Sequence, residues 1–395
     1  MNPRIYLDHN ATTPVDPRVL EAMLPFFSAE FGNASSIHSF GQKARAAVET
    51  AREQVAELIN ARPQEIIFTS GGTESDNHAI FGALQAADGP TKRIVSTSIE
   101  HEAVLNACQQ AAKNGAHLIY LPVTLDGLVN PAALRDILKS SPGNALISVI
   151  HANNELGAIQ PLAELGEIAK EAGACFHTDA VQSTGKIPID VDALHLDLLS
   201  LSGHKLYAPK GIGALYIRSG TPVQQFLYGG HHQRGFRPGT ENVAGIAGLG
   251  QAAELSRNSL HRDAIQIAAL RDLLERQLLA RVPQSRVNAA TAPRTPNTSN
   301  MIFPGIDGEA LLIALDLQGL ACSTGSACSS GAVEPSHVLT AIGLSPDDAR
   351  SSLRFSLGRH TTRQEIDSAL HIIPAAVARL REFSPVYRKE SFAKS

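Results

Sequence analysis

Three short stretches set groups of complementary charge where a single ligand could meet them all. TSGGTESDN (69–77) follows the strand-like EIIFTS (65–70) and opens a helical pattern. Gly71 and Gly72 let the backbone approach an anion there, while Thr73 and the free amides of the helix start donate to it. The stretch lacks the G-K-[ST] ending of a Walker loop and the spacing of a G-x-G-x-x-G turn. FHTDAVQ (176–182) sets Asp179 at the carboxyl end of a buried-strand pattern, where open α/β sheets bind ligands and where an acid needs a cationic partner. SLSGHKLYAPKGIGALYI (200–217) ends a further strand on Ser202, Gly203, His204 and Lys205, which presents a lysine amine at the same edge. Taken singly, these are a capped helix, a salt-bridged acid and a solvated lysine. Together they match pyridoxal phosphate: the lysine holds the aldehyde, the acid pairs with the ring nitrogen, and the cup holds the phosphate.

Further candidates lie on the same edge. His101 in IEHEAVL (99–105) starts a helix after a strand and could stack on a cofactor ring, move protons, or simply be a solvated helix-start histidine. HANNELGAIQP (151–161) offers Asn153, Asn154 and Glu155, which fit a ring hydroxyl, a substrate carboxylate or a plain turn. Arg354 in SSLRFSLGR (351–359) sits within a strand-like run, where a cation needs an anion; a bidentate grip on an amino-acid carboxylate is one use and a structural salt bridge the other. GGHHQRGFRPGTEN (229–242) reads as a loop in which Arg237 and Thr240 could complete a phosphate site across a dimer interface. The His231–His232 pair has no acidic or cysteine partner at ligand spacing.

Of four cysteines, Cys108 and Cys175 fall in helix and strand patterns and read as inert core, while Cys322 ends an apolar stretch and stays open. Cys328 lies in LACSTGSACSSGAVEPSHVL (320–339), whose Ser, Gly and Thr read as a mobile, exposed loop carrying a thiol. A nucleophilic role there needs a nearby base or cation to form thiolate.

The elements that must position these groups alternate between strand and helix periods from residue 41 onward. The amphipathic helix 41–60 is followed by strands at 65–70, 93–97, 117–123, 145–152, 174–179, 197–202 and 213–218. That is an α/β domain built on a mostly parallel seven-stranded sheet. The Pro-free segment 241–281 reads as helices leading to a smaller C-terminal α+β domain, with strands at 298–305 and 353–357 and helices from Glu309 and Arg363. The expected division is 1–15 packing with the small domain, 16–260 as the large domain, and 261–395 as the small domain carrying the Cys328 loop.

Composition agrees. With 395 residues the chain is large enough for two or three domains, and 34 basic against 38 acidic residues give a net charge of −4, with no basic excess for nucleic acid. Hydrophobic residues at 43% and charged residues at 18% exclude a disordered or membrane chain. Four cysteines without C-x-x-C spacing suit a reducing compartment, and Asp8 interrupts the only place for a signal peptide, so a soluble, cytoplasmic protein is expected.

The motifs YLDHNATTP, SSIHSFGQKAR, FTSGGTESDN, EHEAVL, HANNELGAIQP, FHTDAVQ, SLSGHKLYAPKGIGALY, RPGTEN, STGSACSSGAVEPSHVL and LRFSLGR, in this order, resemble the cysteine desulfurases of the NifS/IscS type within the class V aminotransferase group. The resemblance covers nearly the whole chain. It implies fold type I of the pyridoxal-phosphate-dependent transferases, a homodimer, and conversion of L-cysteine to L-alanine with the sulfur held on Cys328 as a persulfide. It further implies that Lys205 is the Schiff-base lysine, Asp179 the ring-nitrogen partner and His101 the stacked proton carrier. Gln182 would bond the ring hydroxyl, and Gly72, Thr73, Ser202 and His204, with Thr240 from a second subunit, the phosphate. Asn154 touches the cofactor and, with Arg354, binds the substrate. The acceptor would be a protein such as an iron–sulfur scaffold, with Cys328 also a transient iron–sulfur ligand, but the tail SPVYRKESFAKS does not resemble the family's scaffold-docking segment. Cys322 could relay sulfur, ligate iron or do neither. The competing readings are another class V aminotransferase, a selenocysteine lyase, a β-eliminating lyase, and a catalytically silent binding partner.

Overall fold

The structure, a computed structural model, describes residues 4–87, 92–140, 145–324, 335–385 and 387. Cys328 lies outside the described residues. The described strands are, in chain order, β1 (Ile5–Tyr6), β2 (Ile66–Thr69), β3 (Arg93–Thr97), β4 (His117–Leu121), β5 (Ala145–Ser148), β6 (Cys175–Asp179), β7 (Leu198–Ser202), β8 (Gly213–Ile217), β9 (Arg286–Val287), β10 (Thr298–Ile302), β11 (Leu320–Ala321) and β12 (Ser352–Ser356).

Seven of them form one sheet in the order β2-β8-β7-β6-β5-β3-β4. These are the seven strands expected from the pattern. Pairs from β7 to β4 are parallel, and only β8 runs against both of its neighbours. The strands are apolar on both sides because both faces are covered. Ile66 and Phe68 of β2 and Leu199 and Leu201 of β7 pack against the helices Ser39–Leu58, Leu162–Glu171 and the start of Val243–Arg281. Ile67, Leu198 and Leu215 pack on the opposite face against Ile80 and Val104, from the helices Gly72–Ala86 and Glu102–Lys113. Cys108 belongs to that second layer, and burial pushes its thiol up to about 12, as inert packing requires.

The segment 241–281 forms one helix, Val243–Arg281, and not several. It contains no proline to break it, and Asn242 caps it by accepting from the Gly245 amide at 3.0 Å. Its first third packs with the large sheet through Ile246 and Leu249; its last third packs through Leu274 and Leu278 into a separate core with Phe303, Phe355 and Ile373. Ile5 and Leu7 join that second core, and β1 pairs in parallel with β11. The N-terminal strand thereby crosses to the C-terminal unit, where β12-β10-β9 form a three-stranded antiparallel sheet. No helix among the described residues is long and apolar enough to cross a membrane.

Candidate active site

The parallel topology carries the carboxyl ends of β2, β3, β5, β6 and β7 to one edge, and the site is built there. β6 ends on Asp179, and β7 ends on Ser202 and runs into a single tight turn, Gly203–Lys205. β2 ends on Thr69, after which Gly71 adopts φ 154° and ψ −175°, a conformation open to glycine alone, before the helix starts at Gly72. A cleft of about 330 Å³ collects ten of the residues singled out in the sequence: Gly72, Thr73, His101, Asn154, Asp179, Gln182, Ser202, His204, Lys205 and Arg354. A second opening, about 580 Å³, borders Arg93, Cys175 and Arg218 at the opposite edge and contains none of them.

The lysine amine is held by the backbone of the N-terminal segment. Lys205 Nζ donates to the backbone oxygens of Asn10 and Ala11, the latter at 2.7 Å. Burial, with the nearby Arg354 cation, draws its amine down to about 8 against the opposing pull of Asp8 and Asp179. Asp179 is buried and accepts from the Val181 amide at 2.9 Å; burial raises its carboxyl, while His101, that amide and Lys205 draw it down. His101 caps the helix Glu102–Lys113, its Nδ1 accepting from the Ala103 amide at 3.1 Å, so an uncharged ring carries its proton on Nε2. His204 Nδ1 lies 3.1 Å from Thr12 Oγ1, and burial beside Lys205 holds this ring down at about 4. The ring is therefore uncharged near neutral pH and carries a single N–H.

Arg354, on the interior of β12, sends Nη2 to Asp8 at 2.8 Å and Nη1 to the Asn154 carbonyl at 3.1 Å, while its buried Nε has no hydrogen-bond partner among the described residues. Asn154 Oδ1 is likewise buried and without a partner. Ser323 also lines the cleft, its backbone paired with that of Arg354 through bonds of 2.6 and 3.1 Å.

This donor set fits pyridoxal 5′-phosphate. Helix-start amides with Thr73, Ser202 and an uncharged His204 suit a phosphate, a buried acid suits a cationic ring nitrogen, and an amine of lowered basicity suits an aldehyde. Thr240, Arg237 and Cys322 are not gathered here. Thr240 is exposed, outside the cleft, and Arg237 of the same loop pairs with Glu74 at 3.0 Å, in the first turn of the cup helix. Cys322 is buried in the second core, where burial first, and then Asp8, pushes its thiol well up. Among the described residues no group of three or more His, Cys, Asp or Glu side chains is placed to hold a metal ion.

Residues 5–369 match the family described as "Aminotransferase class-V". The chain belongs to this family. Among its class V relatives, the cysteine desulfurase IscS of Anaeromyxobacter dehalogenans is 49% identical over 386 residues, covering 97% of this chain and 95% of that protein. Of solved structures, a NifS-like protein superposes with TM-score 0.88 at 36% identity, covering 95% of this chain and all of that one. SspA in complex with cysteine superposes with TM-score 0.79 at 36% identity, covering 91% of this chain and 100% of its own. The chain is thus a cysteine desulfurase relative of the NifS/IscS type, in a family of enzymes that use pyridoxal phosphate.

The class V site also rests on residues that sequence reasoning passed over. Asn10 is a hub with every polar atom engaged: its carbonyl receives Lys205 and Gln182 Nε2, its Oδ1 receives Asn297 at 2.9 Å, its Nδ2 reaches Thr298 and Asn154, and its amide reaches Ser356. YLDHNATTP was visible as a motif, but its distance in sequence from the sheet hid its place. Beneath Asp179 lie two further buried acids. Burial first, with the Asp179 charge, raises Asp76 well above the usual range, and the same causes raise Glu100 to about 8. His177, bonded to Ser148 and Ser200 and 3.7 Å from Asp76 Oδ1, is held uncharged by burial at about 3.

Proposed function

We propose that this cysteine desulfurase converts L-cysteine to L-alanine with Lys205, His101 and Asp179 serving pyridoxal 5′-phosphate, and that it carries the sulfur as a persulfide on Cys328. The observation that bears most weight is Arg354, a buried cation with an unpartnered Nε, in the same cleft as Lys205 and Asp179. An α-amino acid carboxylate is the anion such a site would take.

When bound, pyridoxal phosphate supplies an aldehyde for amines and a ring that accepts the electron pair released as substrate bonds break. Lys205 would hold that aldehyde, and its amine of lowered basicity would serve as the base that moves the Cα proton. Asp179 would pair with the ring nitrogen. Arg354 and Asn154 would hold the carboxylate, and His101 would offer its Nε2–H to the reacting atoms. Cys328 thiolate attacks the substrate sulfur; the Cβ–S bond breaks, its electron pair stays with the carbon skeleton, and a proton there completes alanine. Cys328 follows Thr324 by four residues, which an extended chain spans in at most about 14 Å, and the neighbouring Ser323 lines the cleft.

Exposed Thr240 supports a homodimer in which it serves a second subunit's phosphate, and the IscS relatives support an iron–sulfur scaffold as acceptor. We read the enzyme as cytoplasmic, with residues 16–260 holding the cofactor and 261–395, joined by 1–15, carrying Cys328. The test is incubation with cysteine, with measurement of alanine and of the Cys328 peptide mass. One added sulfur, lost together with alanine release in Cys328→Ala while the cofactor's absorbance stays, is the expected result. Full alanine release by Cys328→Ala would overturn the mechanism in favour of a β-eliminating or other class V reaction.

A further inference from the structure

Lys186 is a half-buried lysine that the reaction above leaves unused. It stands one residue beyond Gly185, whose φ of 71° turns the chain, and four beyond Gln182. Its Nζ donates to Gln182 Oε1 at 2.7 Å and to Asn10 Oδ1 at 3.4 Å. Among the described residues it has no salt-bridge partner, and the charges bearing on it are the cations Lys205 and Arg354. Burial and those two cations lower its basicity well below that of a free lysine, and two acceptors match the two N–H bonds of an uncharged amine. On the far side of the same amide, Gln182 Nε2 donates at 2.9 Å to the Asn10 carbonyl, the acceptor that also receives Lys205 Nζ. A flipped amide would set NH2 against Lys186 and oxygen against oxygen at Asn10.

We propose that Lys186 is a positioning residue for the cofactor: by donating to Gln182 Oε1 it keeps the Gln182 carboxamide turned so that an N–H, and not a C=O, faces the cleft and is available to the cofactor's ring oxygen. The proposal rests on the pyridoxal phosphate reading of this site. It makes Lys186 matter only through Gln182.

The experiment is a double-mutant cycle on the full-length protein, stripped of cofactor and titrated with pyridoxal phosphate, reading both Kd and the pH midpoint of the bound cofactor's absorbance. Lys186→Met keeps the aliphatic stem and removes the donor. It should weaken binding about tenfold and move the midpoint upward, because an oxygen that has lost a donor holds its proton more tightly. In a Gln182→Ala background the same substitution should change neither. Lys186→Gln, which restores an N–H donor, should recover most of the midpoint shift, and it serves as the folded comparison if Lys186→Met does not express. Equal shifts from Lys186→Met in both backgrounds, or no shift in either, would overturn the positioning role. A wild-type protein that develops no absorbance band with pyridoxal phosphate would instead overturn the cofactor reading on which it rests.

Discussion

Asp8 Oδ1 lies 2.8 Å from Arg354 Nη2, joining two residues 346 positions apart in the chain. The pairing exists because β1 lies beside β11 and Asp8 itself bridges to Ser356 at the end of β12. Arg354 is 5% exposed and Asp8 18%, so the acid offsets a buried charge, and Nε is the guanidinium N–H left without a partner among the described residues. Asp8→Asn removes the charge and keeps the shape. We expect KM for cysteine to rise about tenfold with kcat falling much less, since orientation of the carboxylate grip is lost before chemistry begins. Steady-state alanine formation checks this; an unchanged KM would mean that Arg354 is held well enough by the Asn154 carbonyl alone.

The Lys205 amine gives a pH prediction of definite sign. A protonated amine has no lone pair, so capture of pyridoxal phosphate by the cofactor-free protein should accelerate as pH rises and level off above a midpoint near 8. Burial and Arg354 set that midpoint low, and Asp8 opposes them, so Asp8→Asn should move it lower still. Stopped-flow absorbance from pH 6 to 11 measures both. A midpoint close to that of free lysine, about 10.4, would contradict the buried environment described for Nζ.

Glu100 concerns stability instead. Its Oε1 accepts from Thr97 at 2.6 Å and from the Ile150 amide at 3.0 Å, while the buried Oε2 has no partner. Burial raises the folded carboxyl to about 8, so between its unfolded value and 8 the folded state binds the extra proton and wild-type stability falls as pH rises through that window. Glu100→Gln keeps the accepting oxygen and removes the titration. Its unfolding curve should match wild type near pH 4 and exceed it by on the order of 2 kcal/mol at pH 9. Equal stability of the two proteins at pH 9 would show that Glu100 ionises freely.

Much of this was legible because apolar runs, turn residues and strand-end chemistry lie close together in the chain. All seven strands of the large sheet, and the edge carrying Gly72, Asp179 and Lys205, follow from local pattern, since parallel strands in a βα repeat must bring their carboxyl ends to one side. What stayed hidden depends on contacts between distant segments. Nothing local in YLDHNATTP says that Asn10 will stand under Lys205, or that Asp8 will meet Arg354. Asp76 reads as a polar residue in the first turns of a helix, and only the sheet beneath it makes its carboxyl a buried neighbour of Asp179. The single helix 243–281 also escaped, because its first third serves one core and its last third another, so its two halves read as belonging to separate units.

The phosphate cup offers a steric test that reaches both ends of the cofactor site. A Cβ on Gly72 would stand 2.8 Å from Val181 Cγ2, and valine, branched at Cβ, has little rotamer freedom with which to withdraw. The Val181 amide is also the donor to Asp179, so displacing Val181 disturbs the acid as well as the cup. Gly72→Ala should therefore weaken pyridoxal phosphate at least tenfold while costing the cofactor-free protein only about 1–3 kcal/mol in stability, the usual range for one excess methyl group. Val181→Ala removes the obstructing methyl groups. In the double variant, affinity measured by absorbance titration should recover most of the loss. If Val181→Ala leaves the Gly72→Ala defect untouched, the added methyl acts on the phosphate directly and the link through Val181 to Asp179 is wrong.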